Sequence, residues 1–155
     1  MTKPAQKPTP DTGPDDHLCF AVYSAGHAFN KIYKPLLDPL GLTYPQYLAM
    51  SVLWTKGDQT IGSLGEKLYL ESNTLTPLVK RLEALGYVAR SRNPDDERQV
   101  CVRLTKKGAA LRVQARKIPA CILEATGLSL EDLLRLQSEL SSVSDTMLKL
   151  NVDQS

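Results

Sequence analysis

Ser72-Asn-Thr-Leu-Thr-Pro-Leu-Val-Lys-Arg-Leu-Glu-Ala-Leu-Gly86 places Leu75, Leu78, Val79, Leu82 and Leu85 at three- and four-residue steps. That spacing predicts an amphipathic helix with one core stripe, closed by Gly86 as a helix C-terminus prefers. The chain continues Tyr87-Val-Ala-Arg-Ser-Arg-Asn-Pro-Asp-Asp-Glu-Arg-Gln-Val-Cys-Val-Arg-Leu-Thr105. Two short strands, about residues 88–92 and 100–104, are predicted here, joined across the Asn-Pro-Asp-Asp-Glu turn. A polar helix start beside an arginine-tipped hairpin is the arrangement of a winged helix that holds duplex DNA.

The chemistry agrees with that order. A helix entering the ~12 Å major groove needs short donors and acceptors near its start and cations beside the phosphates. Ser72, Asn73, Thr74 and Thr76 supply the first; Lys80 and Arg81 supply the second. Ser72 is expected to cap the helix, and Pro77 to sit in or just past its first turn, where a missing N–H costs least. Arg98 falls near the wing tip, within reach of a minor groove, and Arg90, Arg92, Lys106 and Lys107 are candidate phosphate contacts. The blander reading is a winged helix that binds protein, with these cations only solvating its surface.

Other elements flank this block. Residues from about Asp16 to Tyr33 predict a helix carrying Leu18, Ala21, Val22, Ala25, Ala28, Phe29 and Ile32, broken by Pro35, Pro39 and Gly41. Thr43 with Pro45 opens a second, largely buried helix that stops before Gly57, and Thr60 caps a short third. Thr105 starts a long amphipathic helix that Pro119 kinks. Ser129 with Asp132 opens a last helix to about Leu150, with Leu133, Leu136, Leu140, Val143, Met147 and Leu150 on one face. The first and last helices bracket the chain with apolar faces, a seat for a dimer or for packing within one chain.

The 155 residues suffice for one domain with its own core. The formal net charge is +2, but residues 60–108 hold nine Lys/Arg against six Asp/Glu, so the surplus sits on the helix-wing block. No run reaches the ~18 apolar residues that span a bilayer, and the first residues lack the apolar core expected of a secretion signal. Residues 1–14 hold four of the ten prolines and predict a disordered tail. Three cysteines, Cys19, Cys101 and Cys121, match no zinc spacing and point to a reducing cytoplasm. His17 and His27 have no third ligand in view, so neither a metal nor another cofactor is expected.

Cys19, between Leu18 and Phe20, reads on composition as a small buried hydrophobe. Three tyrosines favour another role. Tyr23 lies one turn on along the same face, Tyr33 lies 14 residues on, and Tyr44 follows Leu42-Thr43. Phenol hydroxyls can donate to a thiolate and stabilise the nucleophile that attacks a peroxide. Fourteen residues at ~1.5 Å each place Tyr33 ~21 Å from its own Cys19, so any contact between them crosses a dimer. Cys101 lies in the second wing strand, opposite in alternation to Val100, Val102 and Leu104, and reads as incidental.

The chain resembles the MarR family of dimeric winged-helix regulators over about residues 17–150. The resemblance rests on Leu75-Thr-Pro-Leu-Val-Lys-Arg-Leu-Glu-Ala-Leu-Gly-Tyr-Val88, on Asp95-Asp-Glu-Arg98, and on Val102-Arg-Leu-Thr-Lys-Lys-Gly108. It implies a mainly α fold with a small β-wing, in which N- and C-terminal helices interlock two copies. Residues 15–150 would form one domain, with the winged helix-turn-helix at about 43–108 and dimerisation helices at 15–42 and 109–150. Two recognition helices would address a pseudo-palindromic operator, with Arg98 as the wing arginine and Asp96 orienting it.

Leu18-Cys-Phe-Ala-Val-Tyr-Ser24, Lys31-Ile-Tyr33 and Leu42-Thr-Tyr-Pro-Gln-Tyr47 resemble the organic-hydroperoxide-sensing branch, OhrR-like, of that family. By that resemblance Cys19 is the oxidised cysteine, and Tyr33 and Tyr44 of the other subunit bind its sulfur, with Tyr23 a further candidate. Cys121 lies in the region of that branch's resolving cysteine, whose expected position is occupied by Glu124. The implied function is a repressor, not an enzyme, that releases its operator when an organic hydroperoxide oxidises Cys19. Two alternatives stay open: a repressor gated by a small aromatic ligand with Cys19 structural, and a thiol peroxidase.

Overall fold

The computed structural model describes residues 13–152. The expected disordered tail therefore lies, for residues 1–12, outside the described residues. The chain forms two compact units, one ending at Ala115 and the other beginning at Arg116.

In the first unit a 3-10 turn, Pro14–Asp16, leads into helix α1, Leu18–Leu37. This helix runs through Pro35, four residues beyond its expected end at Tyr33. A helix-interior proline forfeits one backbone bond, here to the Lys31 carbonyl, and costs ~3 kcal/mol. Burial beyond it offsets that cost, because Leu37, Leu40 and Leu42 are 2–5% exposed and draw the chain onto the core. A second 3-10 turn, Asp38–Leu40, ends at Gly41 with φ 68°. Helix α2, Tyr44–Lys56, starts from a full capping box: Thr43 Oγ1 accepts the Gln46 N–H and Gln46 Oε1 accepts the Thr43 N–H. It buries Gln46, Tyr47, Ala49, Met50 and Leu53 and stops at Gly57.

Next comes a strand the periodicity did not reveal. Strand β1, Gln59–Thr60, has only two residues, too few to show alternation. Thr60 then caps helix α3, Ile61–Leu68, its Oγ1 accepting the Ser63 N–H at 3.0 Å. Tyr69 ends that helix in the left-handed region at φ 54°. Helix α4, Ser72–Ala84, begins one residue after its cap, which is Glu71 and not Ser72. The Thr74 and Leu75 amides both reach the Glu71 carbonyl, which makes Ser72 the first helical residue. Pro77 is then the sixth residue of α4, inside the helix and past the first turn. Gly86, at φ 79°, closes α4 as expected; the Tyr87 N–H bonds to the Leu82 carbonyl and the Gly86 N–H to that of Glu83.

Strands β2, Val88–Arg92, and β3, Val100–Leu104, match the expected hairpin. β3 is central, pairing antiparallel with β2 (Arg90 opposite Val102) and with β1 (Gln59 opposite Val102). Helix α5, Lys106–Ala115, follows, and its Gly108 carbonyl accepts Trp54 Nε1 from α2 at 2.9 Å. Met50, Leu53, Leu64, Leu75, Val79, Leu82, Val88 and Val102, each at most 2% exposed, form the core of this unit.

The expected long helix kinked at Pro119 is instead two helices. α5 stops at Ala115 and α6, Ile118–Thr126, restarts with Pro119 in its second position. Within a continuous helix the Pro119 ring would clash with the Ala115 carbonyl, whereas a helix start leaves its missing N–H harmless. Gly127 in the left-handed region ends α6, and Ser129 caps α7, Leu130–Val152, its Oγ bonded to both the N–H and the carboxylate of Asp132.

Candidate nucleic-acid interface and thiol site

Helix α4 turns Leu75, Val79 and Leu82 into the core and leaves the opposite side in solvent. Ser72, Asn73 and Thr74 are exposed at its start, Thr76 is half-buried, and Lys80 and Arg81 are exposed one to two turns on. The short polar groups and the cations thus share an accessible surface, as groove binding requires. The turn that presents α4 depends on Gly65 in α3, where a Cβ would lie 2.6 Å from the Leu70 carbonyl oxygen.

The wing is braced against α4. Arg90 Nε meets Glu83 Oε2 at 2.9 Å, and Glu83 Oε1 accepts the Arg90 N–H. Those bonds from Arg90 hold the Glu83 carboxyl below its ordinary range. Arg90 and Lys107, both candidate phosphate contacts, are thereby engaged in the fold. Lys107 Nζ donates to the Leu85 carbonyl at 2.8 Å and lies 5.1 Å from the Tyr87 ring centroid. Tyr87 in turn donates its hydroxyl to the buried Leu40 carbonyl. Arg98 stands exposed at the wing tip. Asp96 acts on it through the backbone, its Oδ1 accepting the Arg98 N–H at 3.1 Å, so the turn is shaped while the guanidinium stays outside.

A second cluster lies at the junction of α1 and α2. The Tyr33 and Tyr44 ring centroids are 4.6 Å apart, so two tyrosines eleven positions apart in sequence meet in space. Tyr47 completes the group, at 6.0 Å from Tyr33 and 6.5 Å from Tyr44, and backs onto Trp54. Tyr47 was not singled out in the sequence, since within a buried helix it reads as core. Burial first, then the neighbouring phenols of Tyr44 and Tyr47, pushes Tyr33 up to about 12. Burial also raises Tyr47, partly opposed by Ser51.

Cys19 is exposed at the second position of α1, the far end of the helix that carries Tyr33. Tyr23, one turn on, packs its ring edge-on to His27 at 4.4 Å. Cys121, in α6, is half-buried, as is Cys101 in β3. Among the described residues no group of three or more His, Cys, Asp or Glu could hold a metal ion. No described helix is long and apolar enough to cross a membrane. Large apolar side chains stay uncovered on α1 (Leu18, Val22, Phe29) and on α7 (Leu134, Leu140, Met147). Apolar faces of this extent mark contact surfaces.

A model of the family described as transcriptional regulator SarA/Rot matches residues 31–112, the segment that holds the tyrosine cluster, α4 and the wing. The organic hydroperoxide resistance transcriptional regulator of Bacillus subtilis is 44% identical over 88% of this chain and 93% of its own. The chain belongs to the MarR family of winged-helix regulators, in its organic-hydroperoxide branch. Another relative, the HTH-type transcriptional regulator TtmR of Methylorubrum extorquens, is 45% identical over 86% of this chain and 68% of its own. Among solved structures, reduced AbfR bound to DNA is 34% identical, with TM-score 0.67, over 84% of this chain and 91% of that one. A disulfide-formed AbfR matches at TM-score 0.60 over 86% and 88%. The fold thus brings together Tyr33 and Tyr44 and groups the α4 residues, while Cys19 lies near the end of α1 opposite to Tyr33.

Proposed function

We propose that this chain is a transcriptional repressor that holds an operator through α4 and the wing and releases it when an organic hydroperoxide oxidises Cys19. The observation that carries the reading is the Tyr33–Tyr44 pair, joined at 4.6 Å where α1 meets α2, with an exposed thiol near the opposite end of α1. At ~1.5 Å per residue that thiol is ~21 Å away along α1, so the phenols serve the Cys19 of a second copy. The uncovered apolar faces of α1 and α7 are where two copies would join. Residues 15–42 and 109–150 would then be dimerisation segments around a winged helix at about 43–108. Two copies of α4 would address a pseudo-palindromic operator, with Arg98 of each wing in a minor groove.

The chemistry is a two-electron oxidation. The Cys19 thiolate attacks a peroxide oxygen, the O–O bond breaks, an alcohol leaves, and the sulfur becomes a sulfenic acid. Condensation with the Cys121 thiol of the partner subunit, or with a small thiol, forms a disulfide and expels water. Either product removes the thiolate that Tyr33 and Tyr44 bind. Two such bonds, at ~1.5–3 kcal/mol each, are comparable to the ~5.5 kcal/mol that swings a two-state equilibrium from 1:99 to 99:1. A reducing cytoplasm keeps the resting thiol free. The name of the B. subtilis relative and the reduced and disulfide forms of AbfR support the reading.

Non-reducing gels run beside operator binding test the route of release, comparing the parent with Cys121→Ser after stoichiometric hydroperoxide. A peroxide-dependent dimer band that vanishes in the variant assigns Cys121 as the resolving thiol. Release without a band points to a one-cysteine route through Cys19 alone. Sustained peroxide consumption with a reductant, rather than one equivalent per subunit, contradicts a sensor and indicates a peroxidase.

A further inference from the structure

We propose that Pro77 reads a base, its pyrrolidine ring packing on the C5-methyl group of a thymine in the major groove. This rests on the reading of α4 as the recognition helix. Pro77 is the sixth residue of that helix, and α4 continues to Ala84 beyond it, so the proline neither opens nor ends the element. Its ring is exposed, whereas Leu75, Val79 and Leu82 bury the other side, so core packing does not call for it. In a solvated helix interior proline is the least favourable choice, and it strips the Asn73 carbonyl of its helical partner.

What Pro77 does supply is a surface. It stands one turn after Asn73 and one turn before Lys80 and Arg81, all exposed, so a rigid apolar ring interrupts a polar and cationic stripe. The thymine methyl is the apolar mark that a major groove displays, and apolar side chains recognise it by contact. The ring has no rotamer freedom to lose on docking. Asn73 and Lys80 on either side would hold it in register, as hydrogen-bonding and phosphate-contacting groups do.

The test starts with a duplex selected by the parent chain from a random-sequence pool. Each dT is then replaced in turn by dU, which removes only the methyl. The parent is expected to lose roughly three- to fivefold in affinity at one symmetry-related position of each half-site, the worth of about one buried methyl group. Pro77→Ser is expected to bind the thymine and uracil duplexes alike. Its melting midpoint should be unchanged or higher, since serine suits a helix interior better than proline. The proposal is overturned by a parent insensitive to every replacement, by a variant as sensitive as the parent, or by a marked fall in midpoint. A parent that enriches no sequence overturns the reading of α4 itself, and the inference with it.

Discussion

Tyr33 shows how one side chain acquires its role from its surroundings. Burial and the phenols of Tyr44 and Tyr47 push it up to about 12, so it stays an O–H donor across the physiological range, the form that can bind a thiolate. Because its folded value lies above the ordinary value of 10.0, the associated stability is fully present below about pH 10. That stability is lost as pH rises through about 12. Ultraviolet titration of the folded protein should show a tyrosine step near that pH, and Tyr33→Phe should remove it. The same change, or Tyr44→Phe, would delete one bond of the proposed pair to the Cys19 sulfur, worth ~1.5–3 kcal/mol for a charged acceptor. Sulfenate formation at Cys19, followed by stopped flow, should slow by about tenfold or more, and reduced protein should bind operator more weakly, because the same bond supports the operator-binding state. An unchanged rate would remove both phenols from the sensor.

At the scale of elements, the turn between α3 and α4 is the most demanding joint. Gly65→Ala places a methyl group 2.6 Å from the Leu70 carbonyl oxygen, an overpacking that typically costs about 1–3 kcal/mol. A lower melting midpoint together with weaker operator binding is expected; a midpoint equal to the parent's would mean the turn yields freely. Elements whose ends are set locally were legible in the sequence. Thr43 with Gln46, Thr60 with Ser63, Ser129 with Asp132, and Gly86 each fix a boundary within a few residues. Those decided by distant packing were not. Leu37 and Leu40 carry α1 past Pro35, and β1 exists only because β3 pairs with it. Of the tyrosine cluster, Tyr33 and Tyr44 were legible through the family resemblance. Tyr47 was hidden by its place in a buried helix, and the engagement of Arg90 with Glu83 by their separation in sequence.

For the whole molecule, a net charge of +2 is too small to hold DNA by itself, so binding must draw on the few cations that α4 and the wing expose. If each wing contributes Arg98, Arg98→Ala should lower the log–log salt slope of operator binding by about 2 per dimer. A slope equal to the parent's would place Arg98 away from the DNA. The uncovered apolar side chains of α1 and α7 are where the proposed second copy would pack, and light scattering is then expected to give a dimer mass. In the proposed dimer the exposed thiol near the start of α1 and the tyrosines at the α1–α2 junction would become neighbours across subunits. Operator affinity before and after a stoichiometric organic hydroperoxide, for the parent and for Cys19→Ser, bears on this most directly. The parent should lose roughly tenfold or more in affinity, within the usual range of coupling between sites, and Cys19→Ser should lose none. Equal release from Cys19→Ser would contradict the thiol switch and leave a repressor gated by some other ligand.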